Sequence, residues 1–258
     1  MPEVVRSEMS GSVVPPARHT APVVLDALLF AAGRGERLRP LSDAVPKPAL
    51  DVEGTPLGAW GLAALREAGL TVAVNTSHLG GAVEAALRPY DPSLTLLDEG
   101  PEPLGTAGTL REFRALFGST IVTYNSDLLS DLRVEDLIAA HARTGAPMTI
   151  AVAEVNEGAD LSVEGGQVRA FIDRRMEPNA PGVRFIGIAV IDARALDLIP
   201  AEGPRGMGES LIAPLATRGE LGIVVHDGYA LDVGTPANLQ RARQDVREGK
   251  LVAPLRRT

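Results

Sequence analysis

The chain has 258 residues, no cysteine and a formal net charge of −8. It is long enough to remove roughly 70% of its unfolded surface from water, and its 45% hydrophobic residues can fill such a core. The missing thiols exclude disulfide frameworks, thiolate zinc sites and sulfur redox chemistry, and the acidic balance with 3% aromatic residues excludes a nucleic-acid module.

Residues 1–21 carry prolines, serines and small residues with no sustained period, which predicts a flexible leader ahead of a domain over 22–258. Residues 23–30 are almost continuously apolar, as in a strand buried on both faces, and run into Ala31-Ala32-Gly33-Arg34-Gly35. Helical patterns over 56–68, 80–87, 109–116 and 134–143 then alternate with strand patterns over 71–75, 94–97, 121–124 and 148–155. Repeated βα units predict an α/β, Rossmann-like, mixed and mostly parallel sheet with helices on both faces. Beyond residue 155 the texture shifts to short strands at 161–163, 168–172 and 183–191, a helix over 210–217, a strand over 222–226 and a last helix from 236 to about 248. No apolar run approaches the ~18 residues of a membrane span and no signal-peptide pattern opens the chain, so the expected place is the cytoplasm, with no membrane partner.

The densest chemistry lies in Gly33-Arg34-Gly35-Glu36-Arg37-Leu38-Arg39-Pro40, followed by Pro46-Lys47-Pro48. Glycines just past a buried strand let backbone N–H groups approach phosphate oxygens, and Arg37 and Lys47 add cationic donors to the same anion. The pattern reads as a triphosphate cradle. Leu38 replaces the third glycine of the dinucleotide fingerprint, and Lys47 comes too late for a Walker A loop. Lys47 and Lys250 are the only lysines among 25 basic residues, so a lysine held between prolines marks a position where arginine does not serve. The prolines favour extended backbone at Lys47.

Asp127 follows a predicted strand and Asp232 follows a short apolar segment. Asp127 sits at the carboxyl end of that strand, where an open sheet presents ligands, and two carboxylates with phosphate oxygens suit Mg²⁺. The alternative for each is a turn or helix-capping aspartate. The four histidines have no metal-ligand spacing, and no G-x-S-x-G motif occurs.

The string from Leu28 to Ser42 with Val45-Pro46-Lys47-Pro48-Ala49-Leu50 resembles the signature of the sugar-1-phosphate nucleotidylyltransferases. The resemblance continues at Val74-Asn75-Thr76, at Glu99 with Pro103-Leu104-Gly105-Thr106-Ala107-Gly108, at Asn125-Ser126-Asp127, at Phe185-Ile186-Gly187-Ile188 and at Leu231-Asp232-Val233-Gly234-Thr235-Pro236. It spans residues 25 to about 245, and the nearest members in length are short uridylyltransferases acting on N-acetylmuramate 1-phosphate and mannose-1-phosphate guanylyltransferases. It implies transfer of a nucleotidyl group from a nucleoside triphosphate to a sugar 1-phosphate, with Mg²⁺ as cofactor and a homo-oligomer as a common state. It further implies that Arg37 and Lys47 are catalytic and that Ala32, Gly33, Gly35, Glu36, Asn75, Glu99, Gly105 and Thr106 contact the nucleotide. Asp127 and Asp232 would hold the metal, and Gly187 and Arg174 would meet the sugar phosphate.

Three positions depart from the family pattern and bear on sugar choice. Asp173-Arg174-Arg175 stands in place of Glu-Lys-Pro, Ala230 in place of a tryptophan, and Ser126 in place of the glycine of Asn-Gly-Asp. They motivate a competing reading, a nucleotide-binding or regulatory module that has lost turnover. A dinucleotide-dependent dehydrogenase is disfavoured by Leu38 and the Pro-Lys-Pro segment.

Overall fold

The computed structural model describes residues 24–165, 167–174, 176–202 and 205–254; the leader expected over residues 1–21 lies outside them. In chain order the strands are β1 (Leu25–Phe30), β2 (Asp51–Val52), β3 (Thr55–Pro56), β4 (Val72–Thr76), β5 (Thr95–Asp98), β6 (Phe117–Asn125) and β7 (Leu128–Ser130). They continue with β8 (Met148–Val155), β9 (Leu161–Glu164), β10 (Gln167–Phe171), β11 (Gly182–Asp192), β12 (Leu221–Val225) and β13 (Ala230–Asp232). The helices are α1 (Leu41–Ala44), α2 (Leu57–Glu67), α3 (Gly80–Leu87), α4 (Thr106–Glu112), α5 (Val134–Thr144), α6 (Ala213–Thr217) and α7 (Pro236–Arg247). Among the described residues, no helix is long and apolar enough to cross a membrane.

Nine strands of the described residues form one mixed sheet. Strands β6, β1, β4 and β5 run parallel, as do β8 and β12, while β11 lies antiparallel between β6 and β8. The β9–β10 hairpin extends it beside β11. Side chains alternate between faces along β1, so Leu28 and Phe30 enter one core and Ala27 and Leu29 the other. The first core is covered by Ala107 and Leu110 of α4 and by Leu211 and Leu215 around α6. The second is covered by Leu62 and Leu65 of α2, Val83 of α3 and Leu137 of α5. Helices therefore flank both faces, as the βα alternation predicts.

A third, smaller core lies off the sheet and joins Leu38, Leu129, Leu231, Val233 and Leu239. It packs the segment after the first glycine loop against the β7–β13 ribbon and α7. Burying each such side chain is worth about 1.5–3 kcal/mol. Arg37, Asp127 and Asp232 lie one or two positions from these anchors, so this core sets their spacing.

The helix expected over 109–116 starts earlier, at Thr106. Its first turn is fixed by the carbonyl of Arg205, which accepts from Ala107 N–H at 2.8 Å, and by Thr106 Oγ1, which accepts from Met207 N–H at 2.8 Å. These long-range partners satisfy N–H groups that a helix start otherwise leaves to water.

Candidate active site

Phe30 pairs with Asn75 on one side and Asn125 on the other, so β4, β1 and β6 end at one level. The chain leaves β1 toward β4 and β5, then returns to β6 on the opposite side; this switch in direction opens a crevice at the carboxyl ends of the strands. A cavity of about 240 Å³ occupies it, lined by Ala32, Gly33, Gly35, Lys47 and Asn75 and, facing them, by Glu99, Gly105, Thr106 and Asp127. Of the residues predicted on the nucleotide side, Glu36 alone is not in this lining; it is exposed at the start of a 3-10 turn.

Gly33 has open space where a Cβ would stand. Gly35 has φ +65°, and a Cβ there would lie 3.2 Å from Ser42 Cβ and 3.4 Å from Lys47 Cβ. Glycine takes that left-handed conformation at no steric cost, and its bare Cα lets Lys47 lie against the loop. Leu38 is fully buried, and the loop enters a single 3-10 turn where a dinucleotide site would begin a helix. The polar groups that the loop offers are its backbone N–H groups and cationic side chains, with no helix start behind them.

The extended backbone expected at Lys47 is not found. Pro46 is extended, and Lys47 opens a 3-10 turn closed by Ala49 N–H to the Pro46 carbonyl at 2.8 Å and Leu50 N–H to the Lys47 carbonyl at 3.1 Å. Pro48 is tolerated because the first N–H groups of a helical turn lack partners within it, and the two turn bonds override the pre-proline preference. The Lys47 ammonium contacts the Asp127 carboxylate directly, with the two side chains 12% and 24% exposed.

Asn75 and Glu99 are held by the protein. Asn75 Oδ1 accepts from Ala31 N–H at 2.7 Å, and its Nδ2 donates to Glu99 Oε1 at 2.7 Å. The same Glu99 oxygen accepts from the Thr109 hydroxyl, and Oε2 accepts from Leu104 N–H at 2.7 Å. This chain ties the glycine loop to the 103–106 loop and sets the width of the cavity between them. Gly105, at φ +77°, lets the Arg205 carbonyl approach, since a Cβ would lie 2.7 Å from its oxygen. Glu99→Gln places an NH₂ against one of these three donors and is expected to cost about 1–3 kcal/mol. A urea titration checks this, and an unchanged midpoint would show that the carboxylate is not the hub.

A second cavity of about 800 Å³ opens on the other side of Asp127 and is lined by Arg37, Arg174 and Asp232, with apolar walls at Val155, Phe171 and Phe185. Asn125 and Asp127 line both cavities. Gly187 is not in either lining; it backs onto Asn125, whose Nδ2 would lie 2.8 Å from a Cβ at that position. Arg174 Nε lies 2.9 Å from Asp160 Oδ1, and Asp160 Oδ2 accepts from Phe185 N–H at 2.9 Å. Burial pushes the Asp160 carboxyl above the usual range, against the opposing pull of Arg174, that N–H and Arg184.

The β7–β13 ribbon explains how aspartates 105 positions apart meet. Asp232 is the register partner of Leu128, and Val233 N–H donates to the Asp127 carbonyl at 2.8 Å. Arg37 Nη2 stands 3.9 Å from Asp232 Oδ2. The capping alternative for Asp232 falls to Thr235, whose side chain accepts from Asn238 N–H at 3.2 Å. Among the described residues no group of three or more His, Cys, Asp or Glu could hold a metal. Two hard carboxylates on adjacent backbone positions nonetheless fit Mg²⁺, which is bound by one or two carboxylates plus substrate phosphates.

The family model for nucleotidyl transferases matches residues 26–249. The chain belongs to the nucleotidyl transferase family. It is 31% identical over 228 residues to the N-acetylmuramate alpha-1-phosphate uridylyltransferase of Neisseria meningitidis, covering 85% of this chain and 97% of that protein. It is 29% identical over 224 residues to the mannose-1-phosphate guanyltransferase beta-A of Xenopus laevis, covering 82% of this chain but 62% of that longer protein. In fold it resembles a Bacillus anthracis protein assigned as a glucose-1-phosphate thymidylyltransferase, with a TM-score of 0.74, 19% identity and coverage of 86% of this chain and 95% of that one.

In this nucleotidyl transferase the sequence does not single out Asn125, Thr109 or Asp160. Asn125 heads the Asn-Ser-Asp motif, and its position at a strand end beside an aspartate was the available signal. Thr109 reaches Glu99 and Asp160 reaches Arg174 and Phe185 across 10, 14 and 25 residues, and no local pattern reveals these contacts.

Proposed function

We propose that this chain joins a nucleoside triphosphate to a sugar 1-phosphate, giving an NDP-sugar and pyrophosphate. The observation that carries the reading is the meeting of two cavities at Asp127, with Lys47 lining the smaller and Arg37 the larger. Triphosphate in the smaller cavity and sugar 1-phosphate in the larger bring a sugar-phosphate oxygen to the α-phosphorus. That oxygen forms the new P–O bond as the bond to pyrophosphate breaks, with no protein nucleophile. The Lys47 ammonium is ion-paired and has no lone pair to attack with, so its work is electrostatic. Lys47, Arg37 and the glycine-loop N–H groups stabilise charge gathering on the α-phosphate and the leaving pyrophosphate. Arg174, aimed by Asp160, offers its guanidinium to the sugar phosphate. Asp127 and Asp232 would hold Mg²⁺, which when bound neutralises phosphate charge.

The family membership and the names of both curated relatives support this reaction class. Pyrophosphate release across UTP, GTP, dTTP and CTP, each paired with several sugar 1-phosphates, tests it. Release is expected to require one matched pair, and no release from any pair would favour the nucleotide-binding module.

A further inference from the structure

We propose that Lys47 and Arg37 are place-holding cations for the metal, so that the site takes up a divalent ion and a triphosphate together and either one alone poorly. The inference rests on the reading above for its ligands, but its support is geometric. Each carboxylate assigned to the metal is paired with one of the two cations assigned to the triphosphate: Lys47 with Asp127 and Arg37 with Asp232. The second pair has a place made for it. A Cβ on Gly234 would fall 2.5 Å from Arg37 Nη2 and 2.7 Å from Asp232 Oδ1, so the guanidinium lies over a bare Cα beside the carboxylate.

A divalent ion arriving alone meets the Lys47 ammonium already on Asp127, and two like charges a few ångströms apart in a poorly solvated site repel strongly. A triphosphate arriving alone must draw Lys47 off Asp127, leaving a carboxylate without its cation beside four new negative charges. Breaking a largely buried pair by removing one partner is costly. When both arrive, the partners exchange: the cations pass to phosphate oxygens and the carboxylates to the metal, and no charge is left unpaired.

The test needs no turnover and no knowledge of base or sugar. Calorimetry on the EDTA-treated full chain measures Mn²⁺ alone, then inorganic tripolyphosphate alone. Lys47→Met is expected to bind Mn²⁺ at least about tenfold more tightly than wild type, because the competing cation is gone. Asp127→Asn is expected to bind metal-free tripolyphosphate several-fold more tightly, because Lys47 is released to it. If Lys47 acts only on phosphate and Asp127 only on metal, neither affinity rises. Mn²⁺ affinity in Lys47→Met equal to or below wild type overturns the proposal. If that variant does not fold, unchanged or weaker tripolyphosphate binding by Asp127→Asn overturns it. Failure of pyrophosphate release with every substrate pair would sink the proposed reaction while leaving these isotherms to decide the exchange separately.

Discussion

Lys47→Arg is expected to lower turnover by about tenfold or more, roughly 1.4 kcal/mol or greater in the transition state, although charge is conserved. The physical reason is shape. Lys47 is 12% exposed, lies against the bare Cα of Gly35 and reaches Asp127 from a 3-10 turn. A compact ammonium fits that slot as a point charge, whereas a planar guanidinium is wider and imposes a fork. The chain uses arginine at every other basic position except Lys250, so retention of lysine here is not a matter of general composition. Steady-state kinetics with the matched pair check this. A variant equal to wild type would show that the slot does not discriminate between the two cations.

Asp127→Asn and Asp232→Asn are each expected to remove most turnover, on the order of 2–3 kcal/mol or more of transition-state stabilisation, while far-UV circular dichroism stays unchanged. Each substitution keeps volume and deletes one anionic oxygen ligand for a hard cation. The β7–β13 register holds both backbones in place whatever the side chains carry. Chelation of divalent ions is expected to abolish wild-type activity in the same assay. Normal turnover by either variant, or activity that survives chelation, would remove the two-aspartate metal site.

The fold was largely legible because its strands and helices carry their own periods. Residues 23–30 read as a doubly buried strand, and β1 sends alternate side chains into two cores. The helix patterned over 80–87 matches α3, and the strand over 148–155 matches β8. The small β7–β13 ribbon was not legible. Each of its strands is three residues long, too short for a period, and their pairing depends on the shared core of Leu129, Leu231 and Val233. The backbone at Lys47 departs from the extended expectation because two turn hydrogen bonds outweigh the pre-proline preference. At the site, the motif residues could be named from sequence, but their partners could not. That Glu99 is saturated by Asn75, Thr109 and Leu104 emerges only when three segments meet.

In the proposed reaction the sugar phosphate displaces pyrophosphate at the α-phosphorus directly, with Lys47 acting through charge alone. Exchange of radiolabelled pyrophosphate into the nucleoside triphosphate tests it most directly, because a covalent nucleotidyl-enzyme would exchange without the second substrate. Direct displacement gives exchange only when the matched sugar 1-phosphate is present. Exchange in its absence, or none with any pair, would contradict it.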